Sequence, residues 1–374
     1  MLITAAVGRD VRTPLSIEQL ELRAPGPDEV LVAVDAVAIC HSDLSFVDGD
    51  WSSALPAVWG HEAAGRVVDH GDTDSPVAVG TAVVVHLIRH CGTCRACRRG
   101  HPVSCRATFP LDDLTPLSDA TGAPVAHGLR TAAFASHVLV HRSQIVPVPE
   151  LTPDLACLLA CGVITGVGAV RNTAQVANGD TVCIVGCGGV GLNAVIGARL
   201  AGAATIVAVD PDPDKRAAAR AFGAHHDLDP SDPDIDQALA DLLGGVGADH
   251  VIIATGAPPA HHSAMSLLAP SGTLTIVGMP ADGVSLQVSP GDLAGADQRI
   301  AGSKMGGAVP GRDIVDLAAA HLRGDFDLSE LVSHRHEFED INLAIDDVRR
   351  GTTRRSVVTI DHTSVSSDTT AGTP

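Results

Sequence analysis

Short apolar runs separated by proline and glycine characterise the first 150 residues of the chain. Residues 30–34, 65–68 and 82–85 are rich in valine, a residue that favours extended backbone. This pattern predicts a mostly antiparallel, barrel-like β domain. Residues 111–130 are instead rich in Asp, Thr and Pro, and we expect them to form a loop at the entrance of a substrate cleft.

The pattern changes at about residue 163, from where apolar strands alternate with helical segments. Helices are predicted over residues 213–222 and 237–243, and strands around four apolar positions: Ile184, Val207, Ile252 and Ile276. Because strands separated by helices pair in parallel, this half of the chain predicts a doubly wound sheet.

After about residue 303 the regular alternation of strands and helices ends, and separate helices and a strand are predicted. Residues 313–322 and 341–348 are predicted as amphipathic helices, and residues 356–360 as a closing strand. Residues 361–374 are rich in Ser and Thr without an apolar face, which predicts disorder.

A glycine-rich sequence follows the first predicted strand of the parallel half, residues 180–185. It reads Gly186-Cys187-Gly188-Gly189-Val190-Gly191 and precedes an apolar helical run. Gly186 permits the tight turn, Gly188 lets a pyrophosphate approach the backbone, and Gly191 lets the helix pack closely. The phosphates of a dinucleotide would lie at the helix N-terminus.

An aspartate follows the second strand of this half. Asp210 lies 19 residues beyond Gly191, near the spacing of a ribose-binding carboxylate. Its charge would bind the 2′-hydroxyl of NAD and repel the 2′-phosphate of NADP, so NAD is the expected cofactor. A plain turn residue is the alternative for Asp210.

Four cysteines within one short segment form the most specific pattern in the chain: Cys91, Cys94, Cys97 and Cys105. Thiolates at such spacing supply the tetrahedral ligand set that zinc prefers, and four protein ligands make a structural site without an open position. Four arginines nearby offset its negative charge: Arg95, Arg98, Arg99 and Arg106. Two disulfides, or four unrelated buried thiols, are the alternatives.

A second ligand set is dispersed along the chain. Cys40, His61 and Cys161 would supply two thiolates and one imidazole, which leaves a fourth zinc position for water or substrate. Each residue alone is weak evidence for a metal site, since isolated Cys and His residues are more often core residues. Their joint occurrence with the four-cysteine segment and the glycine sequence favours a catalytic metal site.

The amino-acid composition limits the possible partners and the cellular compartment of the protein. The formal net charge is −19 and the sequence pI about 5.2, which argues against nucleic acid or an anionic membrane as partner. Six of the nine cysteines are proposed zinc ligands, and the remaining three are expected as buried thiols: Cys157, Cys183 and Cys187. Free thiols suit a reducing compartment, and residues 1–10 lack the features of a signal peptide, so we expect a cytoplasmic protein.

Together these motifs resemble the zinc-dependent alcohol dehydrogenases of the medium-chain dehydrogenase/reductase superfamily, over roughly residues 1–360. The resemblance implies an α/β protein with a GroES-like, mostly antiparallel β catalytic domain and a doubly wound Rossmann nucleotide-binding domain. Residues 1–162 would form the catalytic domain with the structural zinc lobe at 90–106, residues 163–303 the NAD-binding domain, and residues 304–360 the return to the catalytic domain. Two zinc ions per chain are implied.

The resemblance also implies roles for individual residues. Cys40, His61 and Cys161 match the catalytic zinc ligands, and the four-cysteine segment matches the structural site. The other matches are Ser42 at the substrate oxygen, Asp43 and Glu62 beside the zinc, Thr165 at the nicotinamide, His41 and Arg355 at the pyrophosphate, and Lys215 near the adenosine ribose. For Glu62, a purely structural pairing with an arginine is the alternative.

Two positions depart from the family pattern. Ser45 stands where well-known animal members carry a proton-relaying histidine, and serine is no base near neutral pH. His41 stands where arginine is common, so we expect a weaker hold on the pyrophosphate.

The implied activity is reversible oxidation of a primary, medium-chain or aromatic alcohol to its aldehyde, by hydride transfer from a zinc-bound alkoxide to NAD. Cys161 favours simple alcohols over polyols, because polyol dehydrogenases tend to carry an acidic third ligand. Candidate apolar lining residues of the substrate cleft are Leu111, Leu114, Phe134 and Met279, with core packing as the alternative.

Three alternatives stay open. A thiol-adduct dehydrogenase of the same family would need a basic anchor, for which Arg106 and Arg130 are candidates. A zinc-independent quinone or enone reductase, and a non-enzymatic NAD-binding regulator, are less compatible with the ligand set. By resemblance we expect a homodimer, with a tetramer as the alternative.

Overall fold

The computed structural model describes residues 1–71, 77–281 and 283–362, and within it the chain divides into two compact units. The first unit comprises Met1–Cys161 and the segment from Val309 onward, and the second comprises Gly162–Ala308. The return to the first unit thus begins at 309 rather than at the expected 304. Most of the tail predicted to be disordered, from residue 363 on, lies outside the described residues.

The first unit is built mainly from β-strands. In chain order these are β1 (Leu2–Gly8), β2 (Ser16–Leu22), β3 (Glu29–Ala38), β4 (Ala57–Val58), β5 (Glu62–His70), β6 (Ala82–Val85), β7 (Leu117–Ser118), β8 (Pro124–His127), β9 (His137–His141) and β10 (Ile145–Pro147), with β17 (Val332–Glu337) and β18 (Arg355–Thr359) from the return segment. Its helices are α1 (His41–Val47), α2 (Arg95–Arg98), α3 (Pro110–Asp113), α4 (Pro153–Ala156), α11 (Pro310–Leu322) and α12 (Ile341–Arg349).

These strands form two sheets. One is a closed barrel in the order β1-β2-β7-β8-β4, and the other runs β10-β6-β5-β3-β18-β17 with β9 added to β3. Most pairings are antiparallel, as the sequence predicts, and the exceptions are β4 with β8 and β17 with β18. The long strand β3 is buried over most of its length, which explains its near-continuous valine and alanine run.

The prediction of a loop over residues 111–130 is wrong in part. Strands β7 and β8 lie in this segment, and they complete the barrel by pairing with β2 and β4. Val125 is fully buried in the barrel core. Strands of two to four residues carry too little alternation to be recognised from sequence.

The second unit contains a six-stranded parallel sheet in the order β13-β12-β11-β14-β15-β16. Its strands are β11 (Thr181–Val185), β12 (Thr205–Val209), β13 (His226–Leu228), β14 (Ala248–Ile253), β15 (Leu268–Ile276) and β16 (Arg299–Gly302). Its helices are α5 (Gly162–Gly168), α6 (Gly189–Ala201), α7 (Pro213–Phe222), α8 (Ile235–Leu242), α9 (Pro258–Ser263) and α10 (Pro290–Gly295). This strand order is that of the doubly wound dinucleotide-binding fold, so the predicted fold class is confirmed.

Burial corrects the list of expected cleft residues. Phe134 and Leu111 belong to the hydrophobic core of the first unit, with 0% and 5% exposure, so the core-packing alternative is right for both. Leu114 and Met279 are each 69% exposed. The three thiols expected in the interior, Cys157, Cys183 and Cys187, are buried.

Among the described residues, no single helix is long and apolar enough to cross a membrane. A bent pair, Pro153–Ala160 with Gly162–Ala174, passes that test by length and composition alone.

Candidate active site and metal centres

The three dispersed residues of the predicted catalytic site come together in the first unit. One ligand atom each from Cys40, His61, Cys161 and the neighbouring Glu62 lies within 4.8 Å of the others, and all four residues are buried. Cys40 follows β3 and His61 precedes β5. Because these strands pair antiparallel, with Ala38 opposite Glu62, the pairing itself brings the first two ligands together.

Asp43 organises both of these residues. Its Oδ1 lies 2.9 Å from Nδ1 of His61 and accepts the Gly60 backbone N–H, while its Oδ2 accepts the Cys40 backbone N–H at 3.0 Å. The carboxylate is fully buried. Carboxylate–histidine pairs of this kind fix the ring orientation and tautomer of metal-binding histidines.

The second ring nitrogen of His61, Nε2, indicates whether these residues fit a metal ion. Nε2 is buried and has no hydrogen-bond partner among the described residues. Since a buried, unpaired nitrogen costs free energy, its position beside two thiols is explained by a bound cation. A hydrogen bond from Cys161 outweighs burial and lowers the pKa of the Cys40 thiol well below its usual range. The donor set of sulfur, sulfur and nitrogen suits zinc.

Glu62 is paired with Arg355, and a role beside the metal or a purely structural role both stay predictions for this residue. The Arg355 guanidinium donates to Oε2 of Glu62, and both side chains are buried. Burial raises the pKa of Glu62 to about 8, although the charge of Arg355 opposes that shift. The predicted pyrophosphate role of Arg355 stays a prediction.

Helix α1 carries the remaining predicted residues of this region. His41 is exposed at its first position, and Ser42 and Ser45 are half-buried. Residues three apart on a helix lie on the same face, so the two serines share one side of α1.

The four-cysteine segment forms a compact cluster in the first unit. The Sγ atoms of Cys94 and Cys97 are 3.5 Å apart, those of Cys94 and Cys105 3.9 Å, and those of Cys91 and Cys105 3.8 Å. A tetrahedron with Zn–S bonds of about 2.3 Å has edges of roughly 3.8 Å. The sulfur positions therefore fit one tetrahedral ion, and no disulfide joins them.

The glycine-rich turn in the second unit has the geometry of a dinucleotide cradle. A Cβ on Gly191 would lie 1.8 Å from the Gly186 carbonyl oxygen, so only glycine allows α6 to begin so close to the turn. A Cβ on Gly188 would meet no atom within 4 Å, so that position faces open space. Gly189 and Val190 begin α6.

Asp210 lies directly beside this turn. Its Oδ2 accepts the Cys187 backbone N–H at 2.8 Å and its Oδ1 that of Asp212 at 2.9 Å. The carboxylate is thus a fixed acceptor at the end of β12. Nζ of Lys215 lies 3.9 Å from Oδ2 of Asp212. Thr165 is buried, and its Oγ1 lies 3.6 Å from Sδ of Met305.

Sequence reasoning missed a buried polar network in the first unit. Arg89 is fully buried and hydrogen-bonds residues far away in the chain: Asp112, His127, Arg130 and Gln144. These residues have no common spacing or motif, so no local signal could have found them.

Comparison with known proteins agrees with this geometry. Residues 26–150 match the alcohol dehydrogenase GroES-like domain, and residues 189–320 match the zinc-binding dehydrogenase family. Geraniol dehydrogenase from Castellaniella defragrans is 34% identical over 357 residues, which cover 93% of this chain and 95% of the relative.

Two further relatives span the same length. S-(hydroxymethyl)glutathione dehydrogenase from Synechocystis is 33% identical over 95% of this chain and 98% of the relative. The crystal structure of benzyl alcohol dehydrogenase from Acinetobacter calcoaceticus has a TM-score of 0.89 and 30% identity, with 96% of this chain and 100% of that chain covered. The chain is therefore an oxidoreductase that belongs to the zinc-type alcohol dehydrogenases of the medium-chain dehydrogenase/reductase superfamily.

Proposed function

We propose that this enzyme reversibly oxidises a primary alcohol, medium-chain or aromatic, to its aldehyde with NAD, and that it binds two zinc ions per chain. The observation that carries the proposal is the convergence of Cys40, His61 and Cys161, where the buried Nε2 of His61 has no hydrogen-bond partner in the part of the chain that the structure describes. Three protein ligands leave a position for an alcohol oxygen.

The residues around this site have separate tasks. Bound there, zinc supplies a Lewis acid that lowers the pKa of an alcohol, and NAD supplies the hydride acceptor. Ser42, two residues after Cys40, relays the alcohol proton: its oxygen takes that proton while its own hydroxyl proton leaves toward solvent, on the side of α1 that also carries Ser45. Asp43 holds the imidazole of His61 in one orientation.

NAD, rather than NADP, is supported by Asp210. Its carboxylate is fixed by two backbone amides beside the glycine turn, and a 2′-phosphate placed there would meet a negative charge. The Gly186–Gly191 turn, Thr165 and Lys215 in the second unit, with His41 and Arg355 in the first, are the other proposed cofactor contacts.

The substrate class rests on two observations. Relatives of this chain are named for geraniol and benzyl alcohol, both apolar primary alcohols. In addition, a thiol-adduct substrate needs a free basic anchor, and the candidate Arg130 places Nε 3.2 Å from Oδ1 of Asp112. The other candidate, Arg106, is exposed beside Cys105 in the lobe.

A thiol-adduct activity is nevertheless the second candidate, because a relative of nearly equal identity is named S-(hydroxymethyl)glutathione dehydrogenase. The alternatives without catalytic zinc lose their support. Both the reductase and the non-enzymatic regulator are at odds with a converged ligand set, with the match to the zinc-binding dehydrogenase family and with relatives named as alcohol dehydrogenases.

A substrate panel tests the proposal. Purified enzyme is assayed by NADH absorbance with benzyl alcohol, geraniol, octanol, ethanol, sorbitol and S-hydroxymethylglutathione, and its zinc is counted in parallel. We expect the highest kcat/KM with one of the first three alcohols. Sorbitol as the best substrate, or no oxidation of any alcohol with two zinc ions bound, would refute the proposal.

For partners, we propose a homodimer that binds neither nucleic acid nor membrane. The net charge of −19 supports the second part. The open edge of the parallel sheet at β16, where Ile300 is 36% exposed, supports self-association. Light scattering coupled to size-exclusion chromatography would distinguish a dimer from a monomer or tetramer.

A further inference from the structure

Arg89 is a cation enclosed by the first unit. Its side chain has 0% exposure, and its three guanidinium nitrogens are all used. Nε donates to Oε1 of Gln144 at 2.7 Å, and one terminal nitrogen donates to Oδ1 of Asp112 at 3.0 Å. The second terminal nitrogen of Arg89 lies 2.9 Å from the Arg130 carbonyl oxygen and 3.2 Å from Nδ1 of His127.

The segment that Arg89 holds is strained. Leu129, Arg130 and Ala132 have φ values of 50°, 63° and 52°, a region that side chains other than glycine rarely adopt. Such conformations persist only where surrounding contacts enforce them. The Arg130 carbonyl accepts from both Arg89 and the amide of Gln144, so two buried donors fix this turn.

The strained turn contacts Gly60, the residue before the proposed ligand His61, through Thr131. Its hydroxyl is buried and donates to the Gly60 carbonyl oxygen at 2.6 Å. The N–H of the same Gly60 donates to Oδ1 of Asp43, and that oxygen is the partner of His61 Nδ1. A continuous chain of hydrogen bonds and peptide links therefore runs from Arg89 to the imidazole.

We propose that Arg89 and Thr131 are positioning residues for the three-ligand metal site, with the strained turn 129–132 as the element through which they hold the Gly60–His61 segment. The inference rests on the proposed function in that it takes Cys40, His61 and Cys161 as the zinc ligands. It goes further because it assigns roles to residues that touch neither metal nor substrate.

A physical consequence follows for the metal affinity. Without the Arg89 guanidinium or the Thr131 hydroxyl, the turn relaxes toward ordinary φ values. The Gly60 carbonyl oxygen then keeps the Ala133 backbone N–H, at 3.0 Å, but its side-chain donor is lost or displaced, so the Gly60 peptide is held less firmly. Asp43 then holds His61 over a wider range of orientations. Loss of such outer partners typically weakens metal binding about 10–100-fold. Arg89 also lies two residues before Cys91, so it anchors the base of the four-cysteine lobe at the same time.

The test measures zinc affinity of the holoenzyme directly. Zinc is released to a chromophoric chelator, and the release phase that disappears in Cys161→Ala identifies the three-ligand site. Thr131→Val removes the hydroxyl at nearly constant volume, Thr131→Ser retains it, and Arg89→Met removes the cation. Ser136→Ala is the matched control, since that hydroxyl is equally buried but bonds Thr4 and His137 instead.

We expect Thr131→Val and Arg89→Met to weaken zinc binding at the three-ligand site about 10–100-fold, with Thr131→Ser and Ser136→Ala near the wild-type value. Wild-type affinity in Thr131→Val would overturn the inference, and that variant decides the matter if Arg89→Met does not fold. An equal loss in Ser136→Ala would also overturn it. Absence of alcohol oxidation in the wild type would instead refute the proposed function, so the two failures are distinguishable.

Discussion

The carboxylate of Asp43 and the imidazole of His61 meet in the interior of the first unit, with Oδ1 2.9 Å from Nδ1 and at most 1% of either side chain exposed. The same carboxylate accepts the backbone N–H groups of Cys40 and Gly60. One buried group thus fixes one ligand side chain and the backbone of another. This arrangement makes Asp43 the central organiser of the proposed zinc site.

Replacement of Asp43 by asparagine tests this role. The amide keeps the size of the side chain but loses its charge and one acceptor, so His61 is held less firmly. We expect zinc affinity at the three-ligand site and kcat to fall about 10–100-fold. Asp48→Asn is the control, because Asp48 pairs with Arg349 at the surface. Unchanged zinc affinity in Asp43→Asn would contradict the organising role.

Cys157 and Cys161, two buried cysteines four residues apart, provide a variant and its matched control for the ligand assignment. Cys161 is a proposed ligand, whereas Cys157, which is also buried, is not. We expect Cys161→Ala to lose one zinc ion and turnover while it retains NAD binding by fluorescence titration. Cys157→Ala should keep both zinc ions. Alcohol oxidation by Cys161→Ala would exclude the ligand assignment.

Cofactor preference depends on Asp210. In Asp210→Ser the negative charge beside the glycine turn is lost, which removes a charged hydrogen bond to the NAD ribose and the repulsion of a 2′-phosphate. Hydrogen bonds to charged groups contribute about 1.5–3 kcal/mol, so the ratio of kcat/KM for NAD over NADP should fall roughly 10–100-fold. An unchanged ratio would show that Asp210 is only a turn residue.

Stability at acid pH depends on a histidine outside both metal sites. Burial, together with the nearby His90, lowers the pKa of His86 from 6.5 to about 3. Between these values the unfolded chain binds a proton that the folded chain does not, so stability falls as the pH drops below about 6.5. The slope contributed by one such residue is at most about 1.4 kcal/mol per pH unit.

His86→Asn isolates this effect, because the asparagine oxygen can replace Nδ1 as acceptor for the Ile88 N–H. Urea unfolding of both proteins from pH 7 to 4.5 should show a shallower loss of stability in the variant. If the free energy of unfolding fell equally with pH in both proteins, His86 would not contribute to the loss of stability at acid pH.

The parts of the molecule that sequence predicts best are those in which chemistry and spacing are local. Cys91–Cys105 and Gly186–Gly191 each lie on one short segment, and their roles follow from ligand spacing and close backbone approach. The helix over residues 213–222 is found with the same limits because Asp212 caps it, Pro213 starts it and Gly223 ends it. Strands β12 and β6 are likewise found because they are continuous runs of β-branched and small apolar residues.

The remainder depends on tertiary contacts. The strands β7, β8, β13 and β16 have two to four residues and acquire their structure from neighbours. Phe134 looks like a cleft residue in the sequence, but it fills the core against Gly60. The network around Arg89 joins four segments of the chain, and no pattern along the sequence marks a buried arginine whose partners all lie elsewhere.

Anomalous diffraction at the zinc absorption edge, from crystals of the purified enzyme, tests the central claim most directly. The account predicts two peaks per chain, one enclosed by Cys91, Cys94, Cys97 and Cys105 and the other between the Sγ atoms of Cys40 and Cys161 and Nε2 of His61. A fully occupied four-cysteine site without a peak at the second position would contradict it.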